Sequence, residues 1–220
     1  TAVMTMSGFR VAPRQGHLDR VRRICGYLAK MKQGCIRIRT EEPDYSDIPE
    51  QHYDWTRTVY GNVEEVIPGD IPTPRGKRVV NTAYVDANLY HDLITGRSVS
   101  GVLHFINKTP VHWFTKKQAT VETATYGSEF VAAKHAVEQI MAMRTTLRYL
   151  GVEVYGPTFM FGDNGSVVTN SSISESPLRK RHQALAYHFT REPIAAKVVD
   201  FRHIPGTINP SELLSKHWGY

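Results

Sequence analysis

Four acids stand where this sequence ends an element or turns a helix face. Asp86 lies in YVDAN, at the end of a strand predicted over residues 79–88. Glu129 lies inside a helix predicted over 121–150, about two turns from its start, and Asp163 stands in FGDN where an apolar strand stops. Glu212 belongs to SELLSKHW, a short terminal helix. Carboxylates at strand ends beside helices can converge on one cleft. Their hard oxygens suit Mg²⁺, which keeps several waters and takes few protein ligands. Two such ions can clamp the attacking water and the leaving oxygen of a phosphodiester. Each acid also has an ordinary role: an Asp at a strand end caps a turn or helix, and a helical Glu faces water. Asp163 is the sharpest single candidate, because an apolar strand ends abruptly on it.

Other metal and redox chemistry is poorly provided for. The ten histidines show neither H-E-x-x-H nor a Cys/His zinc spacing. Two cysteines, Cys25 and Cys35, form no disulfide framework, and the simple reading is an intracellular, reducing compartment. In that setting the N-x-S/T triplets at Asn107, Asn164 and Asn170 are chance matches.

Elements must position the acids, and the chain divides unevenly. Residues 1–39 contain a basic amphipathic helix over 14–32, with Leu18, Val21, Ile24 and Leu28 on one stripe. Residues 40–78 form a Pro-rich, partly acidic connector whose aromatics (Tyr45, Tyr53, Trp55, Tyr60) predict that it packs onto something. Residues 79–220 form an α/β domain. VVNTAYVDAN, SVSGVLHFINKTP and VHWFTKKQA read as three strands, the last two around a turn at Asn107–Pro110. A long helix follows, its stripe carried by Phe130, Val137, Ile140, Met141 and Leu147, with Gly151 as its stop. PTFMFGDN is a fourth strand, helices follow over 165–171 and 178–196, KVVDFRHIP is a fifth strand, and PSELLSKHW is a short helix. Three opening strands make an antiparallel meander, and later strands join through helices. The fold class is a mixed α/β sheet with helices on its faces.

Composition bounds what this can be. The 220 residues are 41% hydrophobic and 22% charged, which excludes a rod, a collagen and a wholly disordered chain. No apolar run approaches eighteen residues, so no membrane span is expected. The first residue is Thr and no apolar leader follows, which reads as a fragment or a processed product. The formal charge is +6, yet residues 41–54 hold six acids and no Lys or Arg. The remainder is therefore strongly basic, which favours an anionic partner such as nucleic acid.

Several segments together are recognisable. YVDAN, TGRSVSG, WFTKKQATVETATYGSEF, FGDN, KRH followed by YHFTRE, and IPGTINPSELLSKHW occur in the order and spacing of one family. The chain resembles the ribonuclease H region of copia-type LTR retrotransposon polyproteins. The upstream APRQGHLDRVRRICGYL resembles the last helix of the preceding reverse-transcriptase region. The resemblance implies an RNase H-like mixed sheet and a hydrolase that cuts the RNA strand of RNA–DNA hybrids with Mg²⁺ (or Mn²⁺). It implies metal ligation by Asp86, Glu129, Asp163 and Glu212, with Asp86 between two ions. It selects these four from 21 acids, which the residues alone do not isolate. Phosphate contacts are expected from Arg97, Lys116, Lys117, Arg179, Lys180, Arg181 and His182, which fix position without reading sequence.

Two departures stand out. The family has Asp where this chain has Glu212, which moves the oxygens out by one methylene, and such sites tolerate little misplacement. The His that many cellular ribonucleases H carry before the last helix has no match here; Gly206–Asn209 occupy that place. YVDA also resembles the Y-x-D-D of a polymerase palm, but the second Asp is missing and no polymerase activity is expected. Two functions remain open. One is a metal-dependent ribonuclease H acting beside the polymerase part of its polyprotein. The other is a captured retroelement domain, weakened or inactive, serving a host assembly as a structural or nucleic-acid-binding subunit.

Overall fold

The computed structural model describes residues 1–49, 53–178 and 181–216. Its centre is a five-stranded sheet of β1 (Asn81–Asp92), β2 (Arg97–Ile106), β3 (Thr109–Lys117), β4 (Thr158–Gly162) and β5 (Val199–His203). The strand order is β3-β2-β1-β4-β5. The first three strands pair antiparallel, and β4 and β5 join in parallel. The meander and the helical crossovers are those expected from the sequence.

Side-chain alternation makes β1 two-faced. Ala83, Val85 and Ala87 join a core with Phe130, Ala133, Val137 and Ile140 of α3 (Thr125–Tyr149). Thr82 and Tyr84 belong to the alternate set and meet the connector. α3 begins at Thr125, later than its apolar periodicity predicts, so Glu129 stands about one turn from its start rather than two. Gly151 ends α3 with φ +72, its N–H donating to the Arg148 carbonyl at 2.9 Å. β4 leads into α4 (Gly165–Ser172), whose Asn164 cap accepts from the Val167 N–H. The helix expected from 178 is regular only over α5 (Ala184–Ala195), after a 3₁₀ turn at Arg181–Gln183. The last element is a single turn, α6 (Glu212–Ser215).

The connector is strapped onto this sheet. Tyr45 Oη hydrogen-bonds Thr82 Oγ1 at 2.9 Å and its ring meets Phe159 and Phe161 edge-on. Trp55 is buried and lies 4.7 Å from the Arg191 guanidinium carbon. Glu65 accepts paired hydrogen bonds from Arg144 (2.9 and 2.8 Å) and Arg148 (2.7 and 2.6 Å) of α3. Tyr53, by contrast, is exposed. Before the connector lie α1 (Ala2–Ser7), which the sequence reading missed, and α2 (Gln15–Lys30), which matches the expected amphipathic helix. Neither contains a buried residue, and Leu28 of the apolar stripe is 63% exposed.

Candidate metal centre

Asp86 sits in the middle of β1, not at its end, because that strand runs on to Asp92. What ends near it is its parallel neighbour: the β1–β4 pairing stops at Val85 and Gly162, so Asp86 and Asp163 both follow the last pair. Glu129 reaches the same place from the second turn of α3. Carboxylate oxygens of Asp86, Glu129 and Asp163 all lie within 4.8 Å of one another, and among the described residues no other such group of His, Cys, Asp or Glu forms.

Local packing aims Asp86. Gly101 is its antiparallel partner on β2. A Cβ at Gly101 would stand 3.0 Å from both Leu214 Cβ and the Ser215 backbone N. Only a glycine there lets α6 lie on the sheet and bring Ser215 Oγ to donate to Asp86 Oδ2. Asn209 fixes the preceding loop, donating from Nδ2 to the Val85 carbonyl at 2.9 Å and accepting from Ser211 N–H at 3.1 Å.

Glu212 comes near the three carboxylates without joining their tight group. A Cβ at Gly206 would lie 3.0 Å from Asp163 Oδ2 and 3.5 Å from Glu212 Oε1, so both acids border that loop. Glu212 Oε1 accepts from Lys216 Nζ, which also stands 3.8 Å from Asp86 Oδ1. His203 stays on the rim, its Nε2 3.1 Å from the Asp163 carbonyl.

The electrostatics are those of unneutralised crowding. Burial pushes Asp86 up to about 6, with Asp163 and Glu212 adding to the rise and Ser215 and Lys216 opposing it. Burial, then the charges of Asp86 and Asp163, lifts Glu129 well above its usual range. Asp163 is also raised, chiefly by burial. Asp86 is 1% exposed, and its Oδ1 receives no hydrogen bond. An oxygen-only donor set with an orphaned, fully buried carboxylate oxygen fits a hard divalent cation.

The expected phosphate contacts are dispersed. Arg97 is exposed at the start of β2 and Lys116 is exposed on β3. Lys117 is paired with Asp92 at 2.5 Å and holds that acid well below its usual range. Arg181 is exposed on the 3₁₀ turn. His182, with 59% of its side chain exposed, puts Nε2 3.2 Å from the buried Glu122 Oε2. Arg179 and Lys180 lie outside the described residues. Sequence reasoning missed Lys216, Ser215, Asn209 and the part played by Gly101. For Lys216 a signal existed, since it lies one helical turn beyond Glu212.

No family model matches the chain. It is 24% identical over 148 residues to the retrovirus-related Pol polyprotein of transposon TNT 1-94 from Nicotiana tabacum, covering 67% of this chain and 11% of that polyprotein. With the corresponding polyprotein of transposon RE1 from Arabidopsis thaliana it shares 21% identity over 218 residues, 98% of this chain and 12% of the relative. The chain thus spans about a tenth of the length of the curated relatives it matches. Among solved structures, RNase H1 from Halobacterium salinarum superposes with a TM-score of 0.47 at 15% identity, over 63% of this chain and 95% of that one. The N-terminal RNase H domain of a Mycobacterium tuberculosis protein reaches 0.48 at 12% identity, over 62% and 91%. LC11-RNase H1, solved with an RNA/DNA hybrid, reaches 0.47 at 16%, over 61% and 93%. Those superpositions stay below 0.5, so the fold is read from this chain's own strand order and crossovers. In its motifs and its sequence relatives, the chain is similar to the ribonuclease H region of copia-type retrotransposon polyproteins.

Proposed function

We propose that this chain is a metal-dependent endoribonuclease that hydrolyses the RNA strand of RNA–DNA hybrids, as part of a retrotransposon polyprotein. The observation that carries the reading is the cluster of Asp86, Glu129 and Asp163, with one buried oxygen left without a donor. These three would hold Mg²⁺ or Mn²⁺, with Glu212 contributing from the side. When bound, such ions supply Lewis acidity toward the phosphodiester and a nucleophilic water at neutral pH. The protein's part is positional. Ser215 fixes one Asp86 oxygen and leaves the other, Oδ1, without a donor. Gly206 leaves the space between Asp163 and Glu212 open. Arg97, Lys116, Arg181 and His182 meet phosphates, and hybrid recognition rests on groove shape and 2′-OH contacts.

In this reading residues 1–39 belong with the polymerase part of the polyprotein, residues 40–78 strap the domain, and residues 79–220 carry the chemistry. The exposed free thiols of Cys25 and Cys35 support a reducing, intracellular setting. No helix among the described residues is long and apolar enough to cross a membrane.

The test is cleavage of a labelled RNA–DNA hybrid by the purified chain in Mg²⁺ or Mn²⁺, with EDTA as control. Cutting of the RNA strand alone, absent in Asp86→Asn, is the expected result. A folded protein that cuts in neither metal overturns the activity. A second reading, a captured domain that binds nucleic acid without cutting it, is favoured by one observation: Glu212 is engaged by Lys216. Such a domain would retain salt-dependent hybrid binding and no cleavage.

A further inference from the structure

Lys216 is the cation that the described residues bring into the carboxylate group. Its ammonium donates to Glu212 Oε1 and stands 3.8 Å from Asp86 Oδ1, the oxygen that receives no hydrogen bond. It spans the gap between the acid that departs from the family pattern and the acid at the centre of the cluster. Its side chain is 38% exposed, so it can swing out without dismantling any packed layer.

We propose that Lys216 is the resident counter-ion of this site. Its ammonium satisfies the cluster in the absence of metal, and it competes with a divalent ion on the Glu212 side. One divalent ion can then bind to Asp86, Glu129 and Asp163 with Lys216 in place. A second must first displace the ammonium from Glu212, so the lysine makes the second ion the weaker one. The longer reach of Glu212 belongs to the same device, because it lets the carboxylate close an i,i+4 pair on a helix of one turn. The proposal rests on the metal-site reading above and adds that this chain's own cation sets the occupancy of that site.

The experiment is calorimetric titration of Mg²⁺, and separately Mn²⁺, into the full chain and into Lys216→Met, Lys216→Arg and Asp86→Asn. Thermal unfolding is followed with and without metal. The expected result is that Lys216→Met binds the weaker ion roughly tenfold more tightly, the order produced by one unit charge near 4 Å after partial solvent exposure is discounted. Without metal the same variant melts lower than the parent, and added Mg²⁺ raises its melting temperature by more. Lys216→Arg keeps the charge and stays close to the parent in both readouts. Unchanged or weaker ion binding in Lys216→Met, beside parent binding that Asp86→Asn abolishes, overturns the counter-ion proposal and leaves the metal site standing. A Lys216→Arg variant that behaves like Lys216→Met also overturns it, because the shape of the side chain and not its charge would then matter. Absence of any Asp86-dependent ion binding in the parent overturns the site and the proposal together.

Discussion

Glu65 and Asp86 are both acids taken largely out of water, and their surroundings drive them in opposite directions. Burial by itself would raise Glu65. Hydrogen bonds and charge from Arg144 and Arg148 outweigh it and bring Glu65 down to about 2. Asp86 is buried more deeply, with acids around it and only Ser215 and Lys216 to offset them, and it rises to about 6. The strap and the candidate site thus use one residue type for two ends. At the strap, a carboxylate between two guanidiniums is a finished structural joint. At the site, carboxylates short of cations are a demand for one, and they cost stability until it arrives.

The largest expected effect comes from breaking the finished joint. Glu65→Ala leaves Arg144 and Arg148 buried without their shared partner and should cost about 3–5 kcal/mol, read as a lower urea midpoint. A loss under about 1 kcal/mol would mean that the strap is ornamental.

Acidity separates the two regions next, because their signs are opposite. Glu65 binds fewer protons folded than unfolded, so its contribution is complete above its ordinary value of 4.5 and is lost as pH falls toward about 2. Asp86 binds more protons folded, so metal-free stability should fall as pH rises from 3.8 through about 6, by about 2–3 kcal/mol at most. Chemical denaturation in EDTA across pH 4–8 reads this slope, and saturating Mg²⁺ should flatten it. A slope that is the same with and without Mg²⁺ would assign it to other groups.

Asp86→Asn sharpens the contrast. It removes charge from a crowded cluster and should raise stability in EDTA by about 1–2 kcal/mol, while abolishing stabilisation by Mg²⁺. A variant destabilised in EDTA would show that the Ser215 hydrogen bond outweighs the repulsion. The smallest effect belongs to Tyr45→Phe. It deletes the hydroxyl that bonds Thr82 and keeps the ring on Phe159 and Phe161, for about 1 kcal/mol at the urea midpoint. A much larger loss would place the strap's strength in that hydroxyl rather than in Glu65.

Much of this was legible in the chain, for reasons that differ from place to place. The alternation in VVNTAYVDAN and the helical stripe from Phe130 to Leu147 are properties of single segments, so they survive being read one at a time. The ends were less secure. Val121 and its neighbours extend the helical pattern without joining α3, and β1 continues past Asp86 through residues with no clear alternation. The candidate metal ligands were legible only as a set, through motif order, because one Asp or Glu looks much like another. The aromatics of residues 40–78 announced a packed connector, and nothing in them named its partners.

The sequence by itself determined the five strands, their order, the long helix and, through the family resemblance, the candidate acids, because local periodicity and motif spacing are written in short stretches of chain. Only the tertiary structure decided which charges meet. Glu65 and Arg144 are 79 residues apart and Asp86 and Ser215 are 129 apart, and their pairing follows from how the sheet closes and where the strap is laid. It set Asp86 in mid-strand beside the point where β4 stops, and it brought Lys216 to the edge of the cluster. The state of a carboxylate depends on what surrounds it in space, and that is fixed only when distant segments come together.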